Sequence, residues 1–352
     1  MTDPVLICGG AGFIGTNLAS RFLSMDQPVL ILDDLSRPGV ERNLQHLQKN
    51  FNSLLAFEIG DIRDRIAVRR CVRAATAVFH LAGQTAVTTS LIAPREDFDV
   101  NVGGTLTLLE ELRALRVPVP LIFTSTNKVY GDLNSIALRR AGRRYEPQHP
   151  ALLANGIGEG CPLSFHSPYG CSKGAADQYV LDYARTYALP TVVFRMSCIY
   201  GPHQCGTEDQ GWVAHFLIQA LNGLPITLYG DGMQVRDVLY VDDLIEAFLM
   251  AHSNAHRLSG NAFNIGGGPP NATSLLELLD LIGDINGQAP GVSFQDWRVG
   301  DQRYYVSDTR AFSAETGWRA RVGVKHGVRL LYDWLAQNGV PISAAALQGS
   351  PQ

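Results

Sequence analysis

Tyr169 and Lys173 stand four residues apart in the run Ser167-Pro168-Tyr169-Gly170-Cys171-Ser172-Lys173. Pro168 suits the first turn of a helix, and Gly174-Ala175-Ala176-Asp177-Gln178-Tyr179 continues with helical character. Residues i and i+4 share a helix face, so a phenol and an ammonium at these positions can serve one site. A neighbouring cation favours phenolate, and the spacing therefore predicts a tyrosine whose pKa is lowered into the range of a useful base. An isolated Tyr-x-x-x-Lys is common in ordinary helices. The rest of the chain decides whether this one is chemical.

The elements that would position the pair begin at the N-terminus. Val5-Leu6-Ile7-Cys8 predicts a strand, Gly9, Gly12 and Gly15 punctuate the turn after it, and a helical pattern runs through Leu23. Strand, glycine turn and helix form the context of a dinucleotide-binding loop, with phosphate at the helix N-terminus. A second strand, Val29-Leu30-Ile31-Leu32, ends in Asp33-Asp34, and Asp33 lies 18 residues beyond Gly15. A carboxylate at that distance suits the adenosine ribose hydroxyls and repels a 2′-phosphate, which favours NAD; Arg37 nearby keeps NADP in view.

Further strands are expected at Ala56-Phe57-Glu58-Ile59, Ala77 to Gly83, Pro120 to Thr124 and Thr191 to Arg195, separated by helical patterns. This alternation predicts an α/β protein, a Rossmann-type doubly wound parallel sheet with a smaller mixed α/β substrate-binding lobe. The dinucleotide domain is expected over residues 1–195 with a returning segment near 234–266. The lobe is expected over 196–233 and 267–340, and a tail over 341–352. Asn134 to Pro162 is polar and aperiodic and predicts a long loop near the site.

Composition narrows the class. Hydrophobic residues make up 46% and charged residues 18% of 352 residues, enough for a large core. A net charge of −4 supplies no electrostatic argument for nucleic acid or for an anionic membrane. The six cysteines form no Cys-x-x-Cys pair, which predicts reduced thiols and no metal site. With no signal-like start and no membrane-length apolar run, a cytoplasmic protein is expected.

In order along the chain, Gly9-x-x-Gly12-x-x-Gly15, Asp33, Asp61-Ile62, His80-Leu81-Ala82, Ser125-Thr126, Tyr169-x-x-x-Lys173, Tyr200-Gly201-Pro202 and Arg236-Asp237 resemble the extended short-chain dehydrogenase/reductase family. This is the family of NAD-dependent nucleotide-sugar epimerases and dehydratases, and the resemblance spans roughly residues 4 to 335. It implies Tyr169 as base, Lys173 as its partner on the cofactor ribose, and Thr126 as a hydrogen-bonding partner of the reacting hydroxyl. It also implies a cofactor surface of Gly9, Gly12, Phe13, Ile14, Gly15, Asp33, Asp34, Ser36, Arg37, Asp61, Ile62, Leu81, Ala82, Gly83, Asn101 and Thr124, with Tyr169 and Lys173. Substrate contacts are expected from Gln84, Thr126, Asn127, His166, Gln210, Trp212, Val213, Arg236 and Arg303, the two arginines on the diphosphate.

Family members that eliminate water carry an Asp-Glu pair after the catalytic threonine, whereas this chain has Asn127-Lys128 and no carboxylate for that step. Ser125 to Asp132, Phe165 to Tyr179 and Asp209 to Val213 resemble the group that inverts C2 of a CDP-hexose, although Ser164 and Met196 depart from its pattern. The resemblance implies a homodimer or homotetramer and a role in surface-polysaccharide synthesis. A UDP-sugar 4-epimerase and a non-catalytic NAD(H)-binding sensor are the alternatives. The intact Thr126, Tyr169 and Lys173 speak against the sensor.

Overall fold

The computed structural model describes residues 3–51 and 53–339. The expected tail over 341–352 lies outside the described residues. Seven strands form a parallel sheet: β1 (Val5–Cys8), β2 (Val29–Asp33), β3 (Leu55–Ile59), β4 (Ala77–His80), β5 (Leu121–Thr126), β6 (Thr191–Met196) and β7 (Asn261–Ile265). Their order across the sheet is β3-β2-β1-β4-β5-β6-β7. Runs rich in Val, Ile and Leu become central strands because helices cover both faces and leave no polar side to satisfy. β1 and β4 are buried along their whole length, while β3 at the edge exposes Phe57 and Ile59.

The chain winds outward from β1 to β3, then crosses to β4 on the other side of β1. A crevice opens at the carboxyl ends of β1 and β4, the place where ligands bind in such sheets. The glycine turn follows β1, Leu81-Ala82-Gly83 follows β4, and Thr126 ends β5. Three polar clusters far apart in sequence therefore meet at one edge.

Beyond β6 the chain builds a second core. Helices Trp212–Leu221, Leu275–Asn286 and Val324–Asn338 pack together around Leu217, Leu278 and Leu331. Strand Ile226–Tyr229 pairs in parallel with Val292–Gln295. Val235–Tyr240 does not join the main sheet; it pairs with Cys198–Tyr200, Ala272–Ser274 and Tyr304–Tyr305, stitching the lobe to the carboxyl end of β6. Helix Val241–Ser253 then packs against the first helix, Phe13–Ser24, and β7 returns to the sheet.

The structure departs from the expected loop between Asn134 and Pro162. Leu138–Ala141 and Arg144–Pro147 form an antiparallel hairpin around Gly142, and Pro150–Asn155 is a short helix. Its strands alternate arginines with few apolar residues, so no hydrophobic period announces them. The hairpin is held by Arg139–Glu146 at 3.0 Å across the strands and by Tyr145, whose hydroxyl donates to Asp231 at 2.5 Å. Among the described residues, no helix is long and apolar enough to cross a membrane.

Candidate active site

The glycines explain themselves by what they touch. A Cβ on Gly9, whose φ is +80°, would lie 2.7 Å from the Ala82 nitrogen. A Cβ on Gly15 would lie 2.3 Å from the Gly9 carbonyl, so the helix Phe13–Ser24 can approach the turn only with glycine there. Gly12 meets nothing closer than the Gly9 carbonyl at 3.2 Å, and its other side faces the crevice. Asp33 accepts from Ala11 N–H and Leu35 N–H, each at 2.9 Å, which fixes the carboxylate beside the turn. Burial nevertheless pushes its pKa above the ordinary value.

Gly9, Gly12, Asp33, Asp34, Ser36, Arg37, Asp61, Ile62, Leu81, Ala82, Gly83 and Gln84 line one continuous crevice. Asp61 is clasped by Arg63 through contacts of 2.6 to 3.0 Å, so a ligand there meets an ion pair rather than a bare carboxylate. Arg37 reaches across to hydrogen-bond Gln210 of the lobe. Asn101 sits in a π-helical turn, Asp99–Gly103, of the kind often found at functional sites. Its amide accepts from Gln84 N–H at 3.0 Å and donates to Ser172 Oγ at 3.0 Å, tying the β4 loop to the Tyr169 helix.

Gly9, Gly12, Phe13, Ile14 and Gly15 also wall an adjoining cavity with Thr124, Thr126, Asn127, Tyr169, Lys173, Met196, Gln210, Trp212 and Val213. Tyr169 lies in the first turn of helix Ser167–Tyr187, which Ser167 enters with φ +67°. The Tyr169 N–H donates to the buried Ser90 hydroxyl at 3.1 Å. Tyr169 and Lys173 are only 8% and 6% exposed, so neither is screened by bulk water.

The lowered tyrosine pKa drawn from the four-residue spacing is corrected by this geometry. Burial pushes the Tyr169 phenol up to about 12, with the Thr126 side chain drawing it down and Asp97 pushing it up. The Lys173 ammonium lies 4.3 Å from the Phe123 ring centre, on the side of Gly83 and Asn101. Burial pushes Lys173 down to about 8, against the pull of Asp177 and Asp97. The protein alone thus holds a neutral phenol and an ammonium close to its switching point.

Thr126 Oγ1 accepts from Lys128 N–H at 3.2 Å and its hydroxyl donates to Asn127 Oδ1 at 3.5 Å, a contact long enough to be exchanged for a partner in the cavity. Thr124 donates to the His80 carbonyl at 3.0 Å. His80 is a packed side chain, bonded to Thr105 at 3.0 Å and pushed by burial down to about 3. A buried Ser125 hydroxyl on the cavity wall has no partner among the described residues. Open backbone at Gly12, a fixed carboxylate at Asp33 and this spare hydroxyl fit a dinucleotide running from β2 to Tyr169.

A second cavity, in the lobe, shares Lys128, Gln210 and Trp212 with the first and adds Arg236, Gln234, Arg298, Gly300 and Asp301. Arg236 is 6% exposed and donates to Asp301 at 2.8 Å. Trp212 packs edge-on to Phe216 at 5.7 Å. Two expected contacts lie elsewhere. Arg303 is exposed and stacks 5.3 Å from the Trp297 ring, and His166 is exposed beside Gly300. Gln84 faces the crevice of β2 and β4, its amide held by Asp97 at 2.9 Å.

The sequence assigns no role to Arg63, Ser90, Ser125, Lys128 and Arg298, which the fold brings to these cavities or to Tyr169. Ser125 and Lys128 flank residues already singled out and were within reach of that signal. Ser90 and Arg298 carry none, because only the fold brings them to the site.

The NAD dependent epimerase/dehydratase family profile matches residues 5–266. CDP-paratose 2-epimerase of Salmonella typhi is 45% identical over 337 residues, 94% of this chain and 98% of that protein. Among solved structures, Thermus thermophilus UDP-glucose 4-epimerase in complex with NAD is 33% identical with a TM-score of 0.78. Thermotoga maritima UDP-glucose 4-epimerase with UDP-glucose is 29% identical with a TM-score of 0.81. Each covers 95% of this chain and 99% of its own. With the family profile matching most of the chain and a relative 45% identical along 94% of it, the chain belongs to the NAD dependent epimerase/dehydratase family.

Proposed function

We propose that this chain is an NAD-dependent epimerase that inverts C2 of a CDP-hexose. The observation that carries the reading is the convergence of Thr126, Tyr169 and Lys173 on a cavity that the glycine turn also lines. The 45% identity to a CDP-paratose 2-epimerase directs it to C2 and to cytidine, because the 4-epimerases are more distant. Gly9, Gly12, Phe13, Ile14 and Gly15 would hold the NAD pyrophosphate, Asp33 its adenosine ribose, and Lys173 the nicotinamide ribose. When bound, NAD accepts a hydride from the sugar carbon and returns it to the other face.

Tyr169 would act as phenolate, taking the proton of the sugar hydroxyl to become phenol as the carbon is oxidised. Thr126 presents its hydroxyl to the same oxygen. The resulting keto-sugar is re-presented with its other face to the cofactor, and Tyr169 returns the proton on re-reduction. Burial of Tyr169 and Lys173 limits the water that reaches them. Lys173 supplies positive charge that compensates phenolate once a hydroxyl and a ribose bridge the two groups. Trp212 and Arg236 wall the path of the nucleotide. Assembly as a homodimer or homotetramer is part of the same reading.

NMR of the product formed in D₂O from CDP-, UDP- and GDP-sugars tests it. Inversion at C2 of a CDP-sugar without deuterium uptake is the expected result. Inversion at C4 would move the protein to the UDP-sugar reading, and deuterium at the inverted centre would overturn direct oxidation and re-reduction.

A further inference from the structure

Lys128 has no part in the steps above, yet it occupies the junction of the two cavities and lines both. It belongs to the short 3₁₀ turn Asn127–Tyr130 that follows β5, so the turn that bonds its N–H to Thr126 also aims its side chain. The ammonium donates to the Gly300 carbonyl at 3.2 Å. An ammonium carries several donors, and a lone carbonyl does not satisfy them.

The charge around it is unbalanced. Asp301, the carboxylate next to Gly300, is engaged by Arg236 at 2.8 Å. Glu208 and Asp209 of the same cavity are taken up by Arg298, so Lys128 and Arg236 are left to share Asp301. Burial and the Arg236 charge push Lys128 down to about 8, while Asp301 draws it up. An anion placed between Lys128 and Arg236 would relieve both effects.

In a nucleotide sugar the diphosphate hangs on the anomeric carbon. That carbon is the neighbour of C2 and lies across the ring from C4. When C2 is held at Thr126 and Tyr169, the sugar-proximal phosphate must lie close to them; when C4 is held there, the same phosphate lies a ring's width away. A cation two residues beyond Thr126 suits the first geometry.

We propose that Lys128 binds the sugar-proximal phosphate of the substrate, with Arg236 beside it, and thereby selects C2 as the carbon presented to Thr126 and Tyr169. This rests on the C2 reading given above. Lys128 is a positioning residue in this role, since it moves no proton of the reaction.

Calorimetric titration of the NAD-loaded protein with CDP and with CMP, for wild type and Lys128→Met, tests the proposal without turnover. CDP carries the phosphate in question and CMP lacks it. The expected result is a loss of about tenfold in CDP affinity, with CMP binding within about twofold of wild type, as a charge-assisted contact predicts. Lys128→Arg should recover most of the CDP affinity. Equal losses for CDP and CMP, no loss for either, or wild-type protein that does not distinguish the two would overturn the assignment of Lys128. Wild-type preference for UDP and UMP over the cytidine pair would instead remove the cytidine reading, and the same comparison on that pair would then decide the role of Lys128.

Discussion

Two arginine–carboxylate pairs flank the site, and they could hardly be more different. Arg195 on β6 grips Asp177 of the Tyr169 helix through two contacts of 2.9 and 3.0 Å, with both side chains almost fully buried. Arg298 in the lobe approaches Glu208 at 3.1 Å and Asp209 at 3.4 Å, with the carboxylates about half exposed, while lying 3.7 Å over the Tyr229 ring. A buried pair fixes geometry because breaking it strands a charge in a low dielectric. An exposed pair is screened and can be exchanged at little cost. The helix that carries Tyr169 is therefore fixed against the sheet, and the lobe wall proposed to meet the nucleotide is held by contacts that yield.

Three measurements sharpen or break that contrast. The largest effect is expected at the centre itself: Tyr169→Phe should lower turnover by about 10²- to 10⁴-fold, the range lost with a general base. NAD content, read by absorbance of the denatured protein, should stay at the wild-type level, and unaffected turnover would break the mechanism. Next is Asp177→Ala, which leaves Arg195 buried without its partner and should destabilise the fold by about 3–5 kcal/mol in denaturant titrations. Smallest is Arg298→Gln, expected to change stability by about 1 kcal/mol or less. It should act mainly on substrate KM in steady-state kinetics. Comparable stability losses for the last two would erase the distinction between the regions.

Much of this was legible in the chain. Glycine spacing, Asp33 and the Tyr169–Lys173 interval all act within one turn or one strand end, so local sequence records them. The six anticipated strands, from Val5–Cys8 to Thr191–Arg195, all lie in the sheet; apolar burial accounts for five of them, while the edge strand β3 leaves Phe57 and Ile59 exposed. The hairpin at Leu138–Pro147 escaped notice because its stabilising partners, Asp231 and Glu277, are distant in sequence. The resemblance points to Arg303 for the diphosphate, yet five residues along a loop decide that the Arg298 guanidinium faces the cavity and that of Arg303 stacks on Trp297. The tyrosine pKa escaped for a related reason. Spacing tells that two groups share a face, but burial, which dominates the shift, is a property of everything packed around them.

The strand order also governs how the molecule can be made. β1 to β5 emerge in sequence and can pair as they leave the ribosome, at about 5–20 residues per second. The outer edge of β5, Leu121–Thr126, must then wait for β6 at Thr191–Met196, and β6 in turn waits for β7 at Asn261–Ile265. Helix Ser167–Tyr187 is synthesised within that interval and packs on both β5 and β6. The segment that carries Tyr169 thus joins the earlier helices Arg65–Arg73 and Gly104–Arg113 in the core over β5 before β6 is made, which gives its Ala176 and Val180 face a task in biosynthesis that precedes any task in turnover.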